Sequence, residues 1–334
     1  MGSRKVLLVG GAGYVGTVLA HRLLEEKFQV RVLDVLIYEH ASSLTSFWGN
    51  PNFEFVSGDM ADPKIREVAA RGVTDIVLLG GLVGDPITKK YPEASNLINS
   101  LAVTDWIRGA QGLAIEKFIL VSTCSNYGLI PDDVLADEKY PLHPLSLYAK
   151  AKVAAELALL ERAPAYQGAP CVLRFATAFG CSPRMRFDLT LSEFTRTLFL
   201  RNSLLVYDPD TWRPYCHVQD LSQAILRVLN AKDALVRNEV FNVGSSENNA
   251  TKRQIVEVIE KNLGPQKVEY KSQGSDPRNY KVDFQKIESI LGFRAQHSIA
   301  MGVKELLAGL ELGLYKDAEQ NRNFYGNFEV RYPR

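Results

Sequence analysis

Cysteine is scarce in this 334-residue chain, and the four present (Cys124, Cys171, Cys181 and Cys216) form no Cys-x-x-Cys pair. A disulfide framework and a zinc knuckle are both excluded by that spacing, and no metal site is expected. Long apolar runs are missing too. Ile76-Val-Leu-Leu-Gly-Gly-Leu-Val-Gly84 is among the longest and is far too short to cross a bilayer. Strand-like sequence begins almost at once after Met1-Gly-Ser-Arg-Lys5, so no signal peptide is expected. Charge of one sign is absent as well: the net charge is +1, which gives no general attraction to nucleic acid or to an anionic membrane. A phosphate-bearing ligand must then be held by local groups. Internal repeats and low-complexity linkers are not found. These absences lead to the expectation of a cytoplasmic globular protein with reduced thiols and no nucleic-acid or membrane partner.

What is present is a strand–helix rhythm. Apolar runs at Lys5–Val9, Val30–Leu33, Phe53–Val56, Ile76–Leu79, Phe118–Val121 and Cys171–Phe175 alternate with helical stretches, among them Pro92–Gly109 and the Tyr148 segment to Arg162. The unbroken apolar runs suit parallel strands buried on both faces. The pattern predicts an α/β protein with a Rossmann-type doubly wound parallel sheet. After Gly180 the rhythm changes, and a smaller mixed α/β lobe is expected. The division expected is residues 1–175 for the dinucleotide-binding part, with about 213–243 returning to it, and most of 176–334 for the substrate lobe. The aromatic tail from Phe324 to Tyr332 has no assignable role in the sequence.

Gly10, Gly13 and Gly16, in Gly10-Gly-Ala-Gly-Tyr-Val-Gly16, follow a strand and open a helix. That context suits a tight turn, close backbone approach to a pyrophosphate, and free N–H groups at a helix start, with Tyr14 and Val15 in its first turn. Asp34 ends the second strand, where a carboxylate can accept both adenosine ribose hydroxyls and repel a 2′-phosphate, which favours NAD. Asp59 and Met60 follow the third strand as cofactor-side candidates, with Asp59 expected near the adenine amine. Gly80 and Gly81 follow the fourth and let a cofactor lie against bare backbone. Tyr148 and Lys152 stand one helical turn apart, so a phenol and an ammonium share a face, and the ammonium is expected to favour the phenolate. Arg184 and Arg186 offer two guanidinium forks for a diphosphate, or else are solvated loop residues. Asp85 borders the same crevice as a candidate sugar contact. Cys124 and Cys181 could approach the substrate but suit small packing positions, and His217 reads as fold-supporting.

These motifs, together with Val121-Ser-Thr-Cys-Ser-Asn-Tyr-Gly128, Arg174-Phe175, Arg213-Pro-Tyr-Cys-His-Val-Gln-Asp220 and Asn242-Val-Gly244, resemble the extended short-chain dehydrogenase/reductase family of nucleotide-sugar epimerases and dehydratases. The resemblance spans about residues 4–295. It implies NAD as cofactor and a nucleotide-diphosphate sugar as substrate. Thr123 would bond the reacting hydroxyl, Tyr148 would be the acid/base, and Lys152 would lower the tyrosine's pKa and hold the nicotinamide ribose. Asn99 matches a motif position on the cofactor side, Thr177 would lie near the sugar diphosphate, and Arg213 would bind phosphate. A homodimer is implied, paired through the helices at Pro92–Gly109 and Ser146–Arg162, whose apolar stripes include Leu97, Leu101, Trp106, Val153, Leu157 and Leu160. The departures narrow the chemistry. Cys124-Ser125 stand where dehydratases carry Asp-Glu, which argues against 4,6-dehydration. The usual diphosphate arginine a few residues before Asp276 would fall near Gln273, and Arg278 is the substitute within reach. The function expected is C4 epimerisation through a transient 4-keto sugar. A 4-keto-sugar reductase and a non-catalytic NAD-binding member remain the alternatives.

Overall fold

The computed structural model describes residues 4–272 and 278–332; Gln273 and Asp276 lie outside the described residues. Seven parallel strands form the central sheet, in the order Glu239–Val243, Ala169–Phe175, Lys117–Thr123, Asp75–Leu78, Lys5–Val9, Gln29–Asp34 and Phe53–Ser57. The inner strands are buried on both faces, as their unbroken apolar runs predict. Each fully buried Val, Leu or Ile there stabilises the fold by roughly 1.5–3 kcal/mol. Strand order reverses between Lys5–Val9 and Asp75–Leu78. That topological switch point opens a crevice at the carboxyl ends of the strands.

Of the segment 213–243, only Glu239–Val243 pairs with the large sheet; helix Val218–Asn230 packs beside helix Tyr14–Glu25. Trp212–His217 instead joins a small three-stranded sheet with Thr177–Phe179 and Asn249–Thr251. Helices Thr190–Arg201, Lys252–Leu263 and Ile299–Glu311 enclose a separate apolar core that contains Phe179, Phe187, Val256 and Leu306. Lys252–Leu263 starts in a capping box between Thr251 and Gln254, which satisfies two otherwise orphaned N–H groups.

The helical stretch that begins at Pro92 is less regular than its sequence suggests: residues Asn96–Ala102 are π-helical, followed by Val103–Ala110. Trp106 is a correction. It is 1 % exposed, and its indole N–H donates to the Met60 carbonyl at 3.0 Å, so it belongs to the core and not to a surface stripe. The C-terminal tail also has a place. Tyr315, Phe324 and Tyr325 pack with the small-lobe core, while Val330 and Tyr332 pack against the large sheet's. The tail therefore spans both lobes across the crevice.

Candidate active site

A cavity of about 930 Å³ occupies the crevice. It is lined by Gly10, Gly13, Tyr14, Val15, Gly16, Asp34, Asp59, Met60, Gly80, Gly81, Asp85, Thr123, Tyr148, Lys152, Thr177, Arg184, Arg186, Arg213 and Arg278; Asn99, Cys124 and Cys181 do not line it. Asn99 is a correction of role. Its amide donates to the Leu82 carbonyl at 3.0 Å and accepts from the Leu82 N–H at 2.8 Å, so it holds the loop after the fourth strand rather than facing the cavity. Its place in the π-helical stretch brings it to that loop.

The glycine turn fits a dinucleotide. Gly10 has φ +77°, and a Cβ there would meet the Gly80 backbone at 2.4 Å, so no other residue fits. At Gly13 an added Cβ would meet nothing closer than 3.5 Å, so its absence leaves room for a ligand against the backbone. Helix Tyr14–Glu25 begins at Gly13 with no side-chain cap and no acid in its first turn, which leaves its N–H groups and partial positive charge for phosphate. Asp34 accepts from the N–H groups of Ala12 (3.1 Å) and Leu36 (2.8 Å). Burial pushes its carboxyl up, but the neighbouring His40 and these two N–H groups outweigh burial and hold it below the usual carboxylate range. His40 Nε2 lies 3.6 Å from Oδ1. The carboxylate is thus ionised, in keeping with ribose hydroxyls and against a 2′-phosphate. Asp59 spends Oδ1 on the Ala61 N–H at 2.8 Å and lies against the Tyr332 phenol.

At the other end, Tyr148 sits in the first turn of helix Leu147–Arg162, whose N-cap Ser146 accepts from the Ala149 N–H at 3.1 Å. Lys152 is buried; its ammonium donates to the Val121 carbonyl at 2.8 Å and stands 5.8 Å from the Tyr148 ring centre. Thr123 Oγ1 accepts from the Ser125 N–H at 3.1 Å, and its own O–H can still donate.

The expectation that Lys152 lowers the Tyr148 pKa is not met in this structure. Burial pushes the phenol up, Arg186 pulls it back, and Asp85 and Tyr280 add to the rise. The Lys152 ammonium is turned to the Val121 carbonyl, and burial brings its own pKa down to about 8 despite Glu156. In the resting protein the phenol is protonated at neutral pH.

Behind the pair lies a buried polar network. Arg174 grips Glu156 through Nε (3.0 Å) and a terminal nitrogen (2.7 Å), and Glu156 also accepts from Asn126 (2.7 Å) and from Ser122. The Tyr127 phenol donates to Asn242 at 2.7 Å and accepts from Arg174 at 3.1 Å. The Tyr127-Gly128, Arg174-Phe175 and Asn242-Val-Gly244 motifs are therefore scaffold. They clamp the Lys152 helix onto the Thr123 strand. His217 belongs to a comparable anchor: it bonds Glu305 at 2.8 Å and stacks on His297 at 4.4 Å.

Cys124 points into the core, its thiol donating to the Arg174 carbonyl at 3.3 Å, and burial raises its pKa. Cys181 is half-buried and does not line the cavity; burial pushes its thiol up to about 11. Ser125, marked in the sequence only as a departure from the dehydratase Asp-Glu, does line it, as does Tyr280, which the sequence did not mark. Arg278 bonds Asp85 at 2.9 Å and Ser125 at 3.2 Å, and Ser125 bonds the Tyr280 hydroxyl at 3.1 Å. Arg278 is thus engaged beside Tyr148, at the sugar end. Arg213 donates to the Arg278 carbonyl and lies over the Tyr280 ring at 5.1 Å. The Arg184/Arg186 pair does not present two open forks. Arg186 is held by Asp188 at 2.9 and 2.5 Å, and Arg184 lies over Tyr38 at 4.8 Å, within reach of the Asp34 charge. Among the described residues no cluster of His, Cys, Asp or Glu could hold a metal ion, and no helix is long and apolar enough to cross a membrane.

A doubly wound parallel sheet with this glycine turn, strand-end aspartate and Tyr-x-x-x-Lys helix defines an extended short-chain dehydrogenase/reductase. The chain belongs to the NAD dependent epimerase/dehydratase family, whose model matches residues 6–244. It is an NAD-dependent enzyme of that class. Among its relatives are the UDP-glucose 4-epimerase of Corynebacterium glutamicum, 27 % identical, with 88 % of this chain and 92 % of that one covered. UDP-glucuronic acid decarboxylase 4 of Arabidopsis thaliana is 24 % identical, with 95 % and 71 % covered. In fold it is similar to UDP-glucuronic acid 4-epimerase from Bacillus cereus, solved with UDP-glucuronic acid and NAD: TM-score 0.84, 21 % identity, 92 % of this chain and 99 % of that one covered.

Proposed function

We propose that the protein inverts the C4 hydroxyl of a nucleotide-diphosphate sugar through a transient 4-keto sugar. The observation that carries this reading is one cavity in which Tyr148 and Thr123 lie between a dinucleotide turn and an arginine-bearing wall, with Ser125 where an acid for elimination would stand. NAD, when bound, supplies the acceptor and later donor of the C4 hydride. Gly13 and the Tyr14–Glu25 helix start would hold its phosphates, and Asp34 its ribose. The chain's own work is proton transfer and grip. Thr123 bonds the C4 oxygen, and Tyr148 exchanges the hydroxyl proton with it. Arg213 holds the diphosphate end while the sugar presents its other face, and Arg278, bonded to Asp85 and Ser125, lines the sugar end. Lys152, anchored on the Val121 carbonyl, would hold the nicotinamide ribose.

The test is incubation with UDP-, dTDP-, GDP- and CDP-sugars, followed by chromatographic separation of the C4 epimers. Inversion of at least one sugar without net change in NADH is expected; no inversion in any pair overturns the proposal. Steady NADH consumption with a 4-keto-6-deoxy nucleotide sugar would instead identify a reductase.

The outer face of the paired helices supports a homodimer. Leu101 and Leu157 are 54 % and 55 % exposed, on neighbouring helices, with Leu97 and Leu147 also exposed. A second copy covering this face gives the two-fold pairing common among oligomers. The Leu101→Arg, Leu157→Arg double variant is expected to sediment as a monomer where the parent sediments as a dimer. We place the enzyme in the cytosol, in keeping with four free cysteines, three of them buried.

A further inference from the structure

Three buried side chains on the cavity wall have polar atoms with no hydrogen-bond partner in the protein. They are the Tyr38 hydroxyl, both ring nitrogens of His40, and the Arg184 Nε. Their exposures are 6 %, 2 % and 2 %, so bulk water does not serve these atoms. Folding does not leave such a cluster unpaired without reason, because each unsatisfied buried group is destabilising. Tyr38 and His40 come from the loop after Asp34. Arg184 comes from the segment after the Thr177–Phe179 strand and reaches across from the other side of the crevice.

The Arg184 guanidinium carbon lies 4.8 Å from the Tyr38 ring centre, and its unpaired Nε–H can donate to an oxyanion. One terminal nitrogen is already used, donating to the carbonyls of Asn323 (3.3 Å) and Gly326 (3.0 Å) in the C-terminal tail. Burial and the neighbouring Arg186 push its pKa down to about 10, the mark of a cation short of counter-charge. The tail crosses here. Phe187 N–H donates to the Tyr325 carbonyl at 2.7 Å, and the Asn327 amide donates to the Val83 carbonyl at 2.9 Å on the large lobe.

We infer that Arg184 and Tyr38 form a second grip on the dinucleotide, donating to its phosphate oxygens opposite the glycine turn, and that Arg184 thereby ties the C-terminal tail to cofactor occupancy. The inference rests on the family's NAD dependence and not on the C4 reading, and its test requires no substrate. Protein stripped of nucleotide is titrated with NAD by calorimetry, and the tail is probed by trypsin at the exposed Lys316 and Arg322. Arg184→Met keeps a stem over Tyr38 and is expected to weaken NAD binding by about tenfold or more. Tyr38→Phe, which removes one hydroxyl and no packing, is expected to weaken it by a smaller factor. NAD should slow cleavage of the tail in the parent and in Tyr38→Phe, but not in Arg184→Met. NAD affinities within twofold of the parent in both variants would overturn the grip. Cleavage that ignores NAD in the parent would overturn the link to the tail. If Arg184→Met does not fold, an unchanged affinity in Tyr38→Phe overturns the inference by itself.

Discussion

Tyr148→Phe is expected to lower turnover by about 10²–10⁴-fold, the range that a positioned acid or base contributes, and to leave NAD binding and thermal stability close to the parent's. The phenol projects from the first turn of a helix whose cap is Ser146, so removal of one oxygen disturbs neither the cap nor the packing of the helix. Its hydroxyl takes no part in the buried network of Glu156, Arg174, Asn126 and Tyr127. A loss confined to kcat, with KM little changed, fits a group that acts on the reacting hydroxyl; retention of full turnover would remove Tyr148 from the chemistry. The protonated resting state of the phenol bears on this. The step that returns a proton to the sugar is ready in the free enzyme. Removal of the C4 proton needs positive charge near Tyr148, and Arg186 already pulls its pKa in that direction. The measurement is kcat and KM on whichever nucleotide sugar the epimer screen identifies.

The second large effect is on stability. Glu156→Ala is expected to destabilise the fold by about 3–5 kcal/mol, read from the shift in denaturation midpoint, because it strands a buried guanidinium. Burial works against the Arg174 charge, and Glu156 more than offsets it, holding the guanidinium above its usual pKa. Asn126 and Ser122 lose an acceptor at the same time. The pair itself adds little net stability compared with apolar neighbours, so the double variant Glu156→Leu, Arg174→Met should recover a good part of the loss. Activity should not recover with it. Glu156 lies one turn beyond Lys152, and Ser122 precedes Thr123, so the network fixes the register between the helix and strand that carry the chemistry. A single Glu156→Ala variant as stable as the parent would show that the network is dispensable.

Much of the fold was legible because parallel strands covered on both faces read as unbroken apolar runs, and the glycine turn has few structural meanings in its strand-to-helix context. Less was legible where long-range pairing decides. Trp212–His217 joins the small sheet, a matter of partners rather than of local pattern. Helices Gln285–Leu291 and Ile299–Glu311 were not anticipated, and the π-helical turn at Asn96–Ala102 leaves no mark that propensity detects. In the site, residues that share one turn or one strand end in the sequence line one cavity. Side-chain direction was not legible: Cys124 turns inward while Ser125 faces the cavity, and Trp106 packs inward while Leu101 faces out. Tyr38, His40 and Tyr280 escaped notice because ordinary loop residues become meaningful only when a distant segment, here Arg184 or Arg278, comes to meet them.

The large sheet is completed late in the chain. Its outermost strand, Glu239–Val243, comes more than sixty residues after its neighbour Ala169–Phe175, and a large part of that interval belongs to the other lobe. During synthesis the nascent sheet must wait with an apolar edge uncovered, the kind of surface that invites misassembly and the attention of chaperones. The cofactor half is therefore no detachable module, and grafting it into another protein by cutting near residue 175 would leave that edge permanently open.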